Sequence, residues 1–77
     1  MNIKTEYFFN FENYNNTYYS LLIEEDFNFK NKNILVSIDK LERGFKIQIV
    51  TTNLLNLKIA SNAVMKSLEI IEKTLNI

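Results

Sequence analysis

The chain has 77 residues, with nine basic and nine acidic side chains and neither histidine nor cysteine. This length predicts one small domain, 1–77, whose folding hides only roughly 60% of the surface of the extended chain. The composition excludes disulfides, thiolate–zinc sites, cysteine nucleophiles and imidazole acid–base chemistry, and the balanced charge gives no long-range field to attract an anionic partner.

The apolar residues occur in short runs, none of which approaches the roughly 18–20 residues of a membrane span. The first ten residues, MNIKTEYFFN, lack the apolar segment and small-residue cleavage site of a secretory signal. We therefore expect a cytoplasmic protein.

The first two predicted elements are a strand and a short helix. Residues 3–9 have the two-residue period of a half-buried strand, with these side chains on its apolar face: Ile3, Thr5, Tyr7 and Phe9. Asn10 occupies a helix N-cap position, and the residues that follow at helical spacing predict a helix over 11–24: Tyr14, Thr17, Tyr18, Leu21 and Leu22.

A β-hairpin is predicted after residues 25–32, which have no period and are rich in turn formers. Residues 34–40 and 45–50 both alternate, with their apolar side chains on one face: Ile34, Val36, Ile38, Phe45, Ile47 and Ile49. Gly44 is the only glycine of the chain and closes the turn around residues 41–43, so we expect it to adopt a positive φ.

The longest periodic segment, residues 52–75, predicts one helix capped by Thr52 or Asn53. One apolar stripe is aimed at a core: Leu57, Ala60, Val64, Leu68, Ile71 and Leu75. A second row widens that stripe: Leu55, Ile59, Ala63, Ser67 and Ile70. This is more apolar surface than one small sheet covers, so we expect the helix to pack on its own sheet and also on another polypeptide.

The element order is strand, helix, strand, strand, helix. It predicts an α+β fold in which a three-stranded antiparallel sheet carries both helices on one face. So small a sheet leaves an edge strand unpaired. An edge strand without proline can pair with a strand of another chain, either as a specific partner or in aggregation.

The acidic run Glu24, Glu25 and Asp26 is the first candidate for catalysis, but three acids before a loop are typical of a solvated helix end. Calcium needs about six to eight oxygen ligands, and one glycine at a hairpin tip cannot form a phosphate-binding loop. We therefore predict neither a metal nor another cofactor, and a protein that is not an enzyme.

Lysines near the loop and hairpin, among them Lys30, Lys32 and Lys46, lie close in sequence to aromatic residues and are candidate RNA contacts. They can equally be solubilising residues on a hairpin. A stand-alone small RNA-binding domain is the alternative function, although the sequence lacks the GxxG loop of a KH domain and the aromatic strand motif of an RRM. Tyr14 and Tyr18 suit either an interface hot spot or the margin of the core.

The long helix begins with Asn53-Leu54-x-x-Leu57-Lys58-x-Ala60-x-Asn62. This segment resembles the D-L-x-x-L-R-x-S-x-N segment of the Pcc family, the small dimer-forming subunit of the KEOPS complex. The order of strands and helices agrees with that family over nearly the whole chain. Asn53, Lys58 and Ala60 stand where the family has aspartate, arginine and serine. Lysine carries one compact charge and cannot form the bidentate hydrogen bonds of an arginine guanidinium.

The resemblance implies a non-catalytic scaffold that pairs with itself or with a paralogue. Its helical face would hold the ATPase-like catalytic subunit, which transfers threonylcarbamoyl to the adenosine beside the anticodon of tRNA, and the complex would help to hold the tRNA. Carried over by position, the residues that shape the partner-facing side of the helix are Asn53, Leu54, Leu57, Lys58 and Asn62. The other interpretation is that Leu54 and Leu57 are core residues and Asn53 is only a cap.

Overall fold

The computed structural model describes residues 2–10, 15–24, 27 and 33–75. It contains five elements, which are β1 (Ile3–Phe9), α1 (Asn15–Ile23), β2 (Ile34–Leu41), β3 (Gly44–Thr51) and α2 (Leu54–Leu75). The predicted α+β fold and its element order are confirmed. The predicted start of the first helix and most of the predicted loop over 25–32 lie outside the described residues.

The sheet is antiparallel with β3 in the middle, in the order β1-β3-β2. Its register places Ile47 between Tyr7 on β1 and Ile38 on β2. One face of β3 is buried under the helices, through Phe45, Ile47, Ile49 and Thr51. We call this the inner face. Both β1 and β2 are edge strands.

The predicted core stripe of α2 is confirmed. Four of its side chains are buried in the main cluster, namely Ala60, Val64, Leu68 and Ile71, and they pack there with Tyr18 and Leu22 of α1. Leu57 and Leu75 are half-buried at the margin of this cluster. Asn56, which the apolar pattern passed over, is also buried. The helix therefore rests on the sheet through one narrow stripe.

Asn53 fixes the start of α2. Its side-chain Oδ1 accepts a hydrogen bond from the backbone N–H of Asn56 at 2.8 Å, and its carbonyl accepts one from the N–H of Leu57 at 3.1 Å. The hydroxyl of Thr51 donates to the same carbonyl at 3.1 Å. Of the two predicted caps, Asn53 is therefore the one used, and the helix begins at Leu54 instead of Thr52.

Gly44 is required for a different reason from the one predicted. Its φ lies outside the positive range that favours glycine, so the expectation of a positive φ is wrong. A Cβ at this position would overlap the backbone carbonyl of Phe9 on the neighbouring strand. The glycine lets β1 approach the start of β3, because any side chain there would push the strands apart.

Replacing Asn53 by alanine removes the side-chain acceptor at the first turn of α2. We expect the free energy of unfolding to fall by about 1 kcal/mol, measured by urea denaturation. Thr52→Ala is the matched control at the exposed neighbouring position and should change stability by less than about 0.5 kcal/mol. Equal losses for the two variants would contradict the assignment of the cap.

Candidate partner-binding surfaces

α2 exposes large apolar side chains along most of its length. Leu54 is 71% exposed, Leu55 67%, Ile59 46% and Ile70 53%. Large apolar surface left in water commonly marks a protein–protein interface. The predicted surplus of apolar surface on this helix is therefore present in the folded chain.

Successive residues of α2 are rotated by about 100°, which sorts its solvent-facing side chains into three strips. The motif flank consists of Leu54, Lys58, Met65 and Glu72. The polar ridge consists of Asn62, Lys66, Glu69 and Lys73. The edge flank, on the far side of the ridge, consists of Ile59, Ala63 and Ile70. Leu55 lies at the beginning of the ridge, so the ridge separates two apolar surfaces on one helix.

Two hydrogen bonds show which way these strips face. The Ser61 Oγ lies 3.2 Å from the hydroxyl of Tyr7 on β1, and the Tyr18 hydroxyl of α1 donates to the Leu68 carbonyl at 2.7 Å. The side of α2 next to the motif flank therefore faces α1 and β1. Since α2 packs over β3 and β2, the edge flank faces the free edge of β2.

The structure divides the five motif residues predicted to contact a partner. Leu54, Lys58 and Asn62 are exposed on the solvent side of α2, and Asn53 is exposed at its start. Leu57 is half-buried and packs against the core cluster. Leu54 and Lys58 thus share the motif flank, and Asn62 lies on the adjoining polar ridge. The interpretation of Leu54 as a core residue is wrong.

Tyr18 is a core residue, so its prediction as a partner contact is wrong. Its side chain is 1% exposed, and its ring is stacked on Phe45 with 5.6 Å between centroids. Burial, followed by the negative charge of Glu72, raises the pKa of the Tyr18 hydroxyl. Tyr14, the other predicted tyrosine contact, lies outside the described residues.

Of the three predicted RNA contacts, Lys46 is the one in the part of the chain that the structure describes. Lys46 lies on the outer face of the sheet, with its Nζ 3.9 Å from the Oδ2 of Asp39. Lys40 lies on the inner face, with its Nζ 5.9 Å from the centroid of the Tyr19 ring. Lys30 and Lys32 fall outside the described residues.

The outer face of the sheet carries exposed apolar residues that were not predicted as a surface. Leu35 is 66% exposed and Leu41 40% exposed on the edge strand β2, and Phe8 is 65% exposed on β1. Phe8 and Leu41 also line an open cleft of about 240 Å³ together with Arg43. In the sequence, this surface was indicated by the leucine at each end of the otherwise polar face of β2, Leu35 and Leu41.

No group of three or more acidic side chains in ranges 2–10, 15–24 and 33–75 is arranged to hold a metal ion. Neither helix, as far as the structure describes it, has the length and hydropathy needed to cross a membrane. No protein-family model matches the chain, and neither a curated protein nor a solved structure matches it. The resemblance to the Pcc family therefore stays a prediction from the helix motif and the element order.

Replacing Tyr18 by phenylalanine keeps the ring stacked on Phe45 and removes the hydroxyl that bonds to α2. We expect a loss of about 1 kcal/mol in the free energy of unfolding, measured by urea denaturation. Tyr19→Phe, at a half-buried position, is the control and should change stability by less than about 0.5 kcal/mol. A neutral Tyr18→Phe would contradict the structural role given to this hydroxyl.

The raised pKa of Tyr18 also predicts a pH dependence. The folded chain holds the phenolic proton more tightly than the unfolded chain, so this contribution is complete below the ordinary pKa of 10.0 and is lost as pH rises beyond it. Urea titrations should show stability falling above pH 10.0 less steeply in Tyr18→Phe than in the wild type. Identical slopes would show that Tyr18 titrates alike in both states.

Proposed function

We propose that this chain is a non-catalytic dimerisation and scaffold subunit of the KEOPS type, acting in the cytoplasm. In this role it supports the ATPase-like catalytic subunit in threonylcarbamoylation of the adenosine beside the tRNA anticodon. The observation that carries the proposal is the exposure of Leu54, Leu55, Ile59 and Ile70 on a helix whose core stripe is already buried. A helix that leaves this much apolar surface in water is suited to hold a second polypeptide.

The motif flank is the surface we assign to the catalytic subunit. Leu54 supplies an exposed apolar side chain beside the helix start, and Met65 supplies a flexible one that can adapt to a partner. Lys58 lies within about 40° of both in angle and offers a point charge for an acidic group at the rim. An apolar centre with a polar border is the usual composition of a protein interface.

A scaffold role also agrees with the arrangement of charges on the described residues. The pairs Lys4–Glu6, at 3.3 Å, and Lys46–Asp39, at 3.9 Å, lie along the outer face of the sheet instead of converging in a cleft. Such exposed pairs solubilise a surface and contribute little else. Contact with tRNA is then a property of the assembled complex, to which this chain adds a rigid support.

The proposal is tested by mixing the chain with a candidate catalytic subunit and measuring affinity and stoichiometry by light scattering. We expect Leu54→Asp to weaken the complex at least about tenfold, because it places a charge in an apolar contact. Leu55→Asp is a matched control, since it is almost equally exposed and lies in the same first turn, where aspartate favours the helix in both variants. It should weaken the complex less.

Two results would contradict the proposal. One is a chain that stays strictly monomeric and does not bind the catalytic subunit at micromolar concentration. The other is RNA binding by the isolated chain that weakens with salt and with charge reversal at Lys30, Lys32 and Lys46, which would favour a stand-alone RNA-binding domain. Equal losses for Leu54→Asp and Leu55→Asp would contradict the assignment of the motif flank.

A further inference from the structure

We propose that the outer face of the sheet binds an acidic segment of a partner protein at the cleft between Phe8 and Leu41. In this site one aromatic side chain of the partner enters the cleft, and a carboxylate beside it in the partner's sequence pairs with Arg43. The cleft lies on the face of the sheet opposite the helices. The proposal therefore goes beyond the scaffold function, which uses α2, and does not depend on it.

The cleft exists because Gly44 has no side chain. Phe45 is buried on the inner face, and side chains alternate along a strand, so position 44 belongs to the outer face. Gly44 stands opposite Leu41 of β2 and close to the carbonyl of Phe9 on β1. The sheet therefore has an opening at this point, and the floor of the opening is backbone.

The walls of the cleft are apolar and open to water. The Phe8 side chain is 65% exposed and that of Leu41 is 40% exposed, and both line the cleft. Phe9 also lines it, and its ring is stacked on the buried ring of Phe45 with 5.2 Å between the centroids. The end of β1 is thus held on the core. An aromatic side chain that enters the cleft gains apolar burial and a ring partner in Phe8.

A positive charge lies at this apolar cleft. Arg43 is the only arginine of the chain and lines the cleft at the tip of the hairpin. None of the acidic side chains that the structure describes forms an ion pair with it, and the outer-face carboxylates of Asp39 and Glu6 are bound to lysines instead. A guanidinium presents a planar fork of donors that matches a carboxylate. The charge therefore selects an acidic group next to the aromatic one.

The opposite end of the outer face lacks both features. Leu35 is 66% exposed there, but it stands opposite Val50, whose side chain occupies the kind of position that Gly44 leaves open. Lys4, the cation at this end, is paired with Glu6 at 3.3 Å. Among the described residues of the outer face, exposed apolar surface, an opening and an available positive charge therefore coincide at the cleft.

The size of the cleft favours a peptide over a small molecule. Its volume is about 240 Å³, which is below the roughly 300–1,000 Å³ of sites that enclose a drug-sized ligand. This space is suited to one large side chain while the rest of the partner stays outside. Asn10 also lines the cleft, and its exposed amide can hydrogen-bond to the backbone of a peptide. One aromatic anchor with a charged contact at the rim is typical of protein interfaces.

The first experiment titrates a peptide into the methyl-labelled chain and follows the leucine signals by NMR. The probe is an acetylated and amidated peptide in which one tryptophan is flanked on each side by two aspartates. We expect the methyl signals of Leu41 to shift until they saturate, while those of Leu35, on the same face, stay fixed. Replacing the tryptophan by alanine, or the aspartates by lysines, should weaken binding at least about tenfold.

The second experiment compares matched variants of the chain with the same peptide. Arg43→Glu removes the carboxylate contact and should weaken binding at least about tenfold. Lys66→Glu makes the same change in net charge at an exposed position of α2 and should change the dissociation constant by less than about threefold. Phe8→Ser removes a wall of the cleft and should weaken binding at least about fivefold. Leu35→Ser, at an almost equally exposed position, should change it by less than about twofold.

The outcomes either support the site or overturn it. Saturable shifts at Leu41 that depend on Arg43, on Phe8 and on the tryptophan support it. Leu41 signals that stay fixed at millimolar peptide overturn it, and so do equal losses for Arg43→Glu and Lys66→Glu, which would show that net charge alone attracts the peptide. Two further results would also overturn it. Indole-3-acetate that binds as tightly as the peptide would make a small molecule the occupant, and Leu41 signals that shift with chain concentration alone would make a second copy the occupant.

Discussion

The width of the sheet is the constraint on which the rest of the structure depends. Three strands give one central strand, β3, whose inner residues are almost completely buried, and two edges. α2 spans 22 residues, and its fully buried apolar residues form a single stripe. The remaining apolar side chains of the helix stay in water because no further layer of the described residues covers them.

The rotation of α2 about its own axis decides which apolar side chains are left outside. Asn53 sets where the first turn begins, and the hydrogen bonds from Tyr18 to the Leu68 carbonyl and between Ser61 and Tyr7 hold the helix at two further points. A rotation by one residue would turn Val64 outward and replace it with a side chain from a flank. The two flanks are therefore fixed features of the folded chain, which a partner meets in a defined arrangement.

The fold could be predicted from the sequence because its signals are periodic. Alternation over 3–9, 34–40 and 45–50 distinguished the inner face from the outer face, and the spacing of Ala60, Val64 and Leu68 marked the buried stripe. The site was predicted only in part. Tyr18 has the size and polarity of both a core and an interface residue, and its assignment depended on Phe45 and the Leu68 carbonyl, which are distant in the chain. The reason for Gly44 depended on Phe9 in the same way.

The most direct test of the central claim is a dilution series of methyl-labelled chain followed by NMR. If the exposed side chains of α2 meet another copy, the methyl signals of Ile59 and Ile70 shift with concentration while those of Val64 and Ile71, in the core, do not. If all four signals stay fixed up to millimolar concentration, the edge flank faces only water and the account is contradicted.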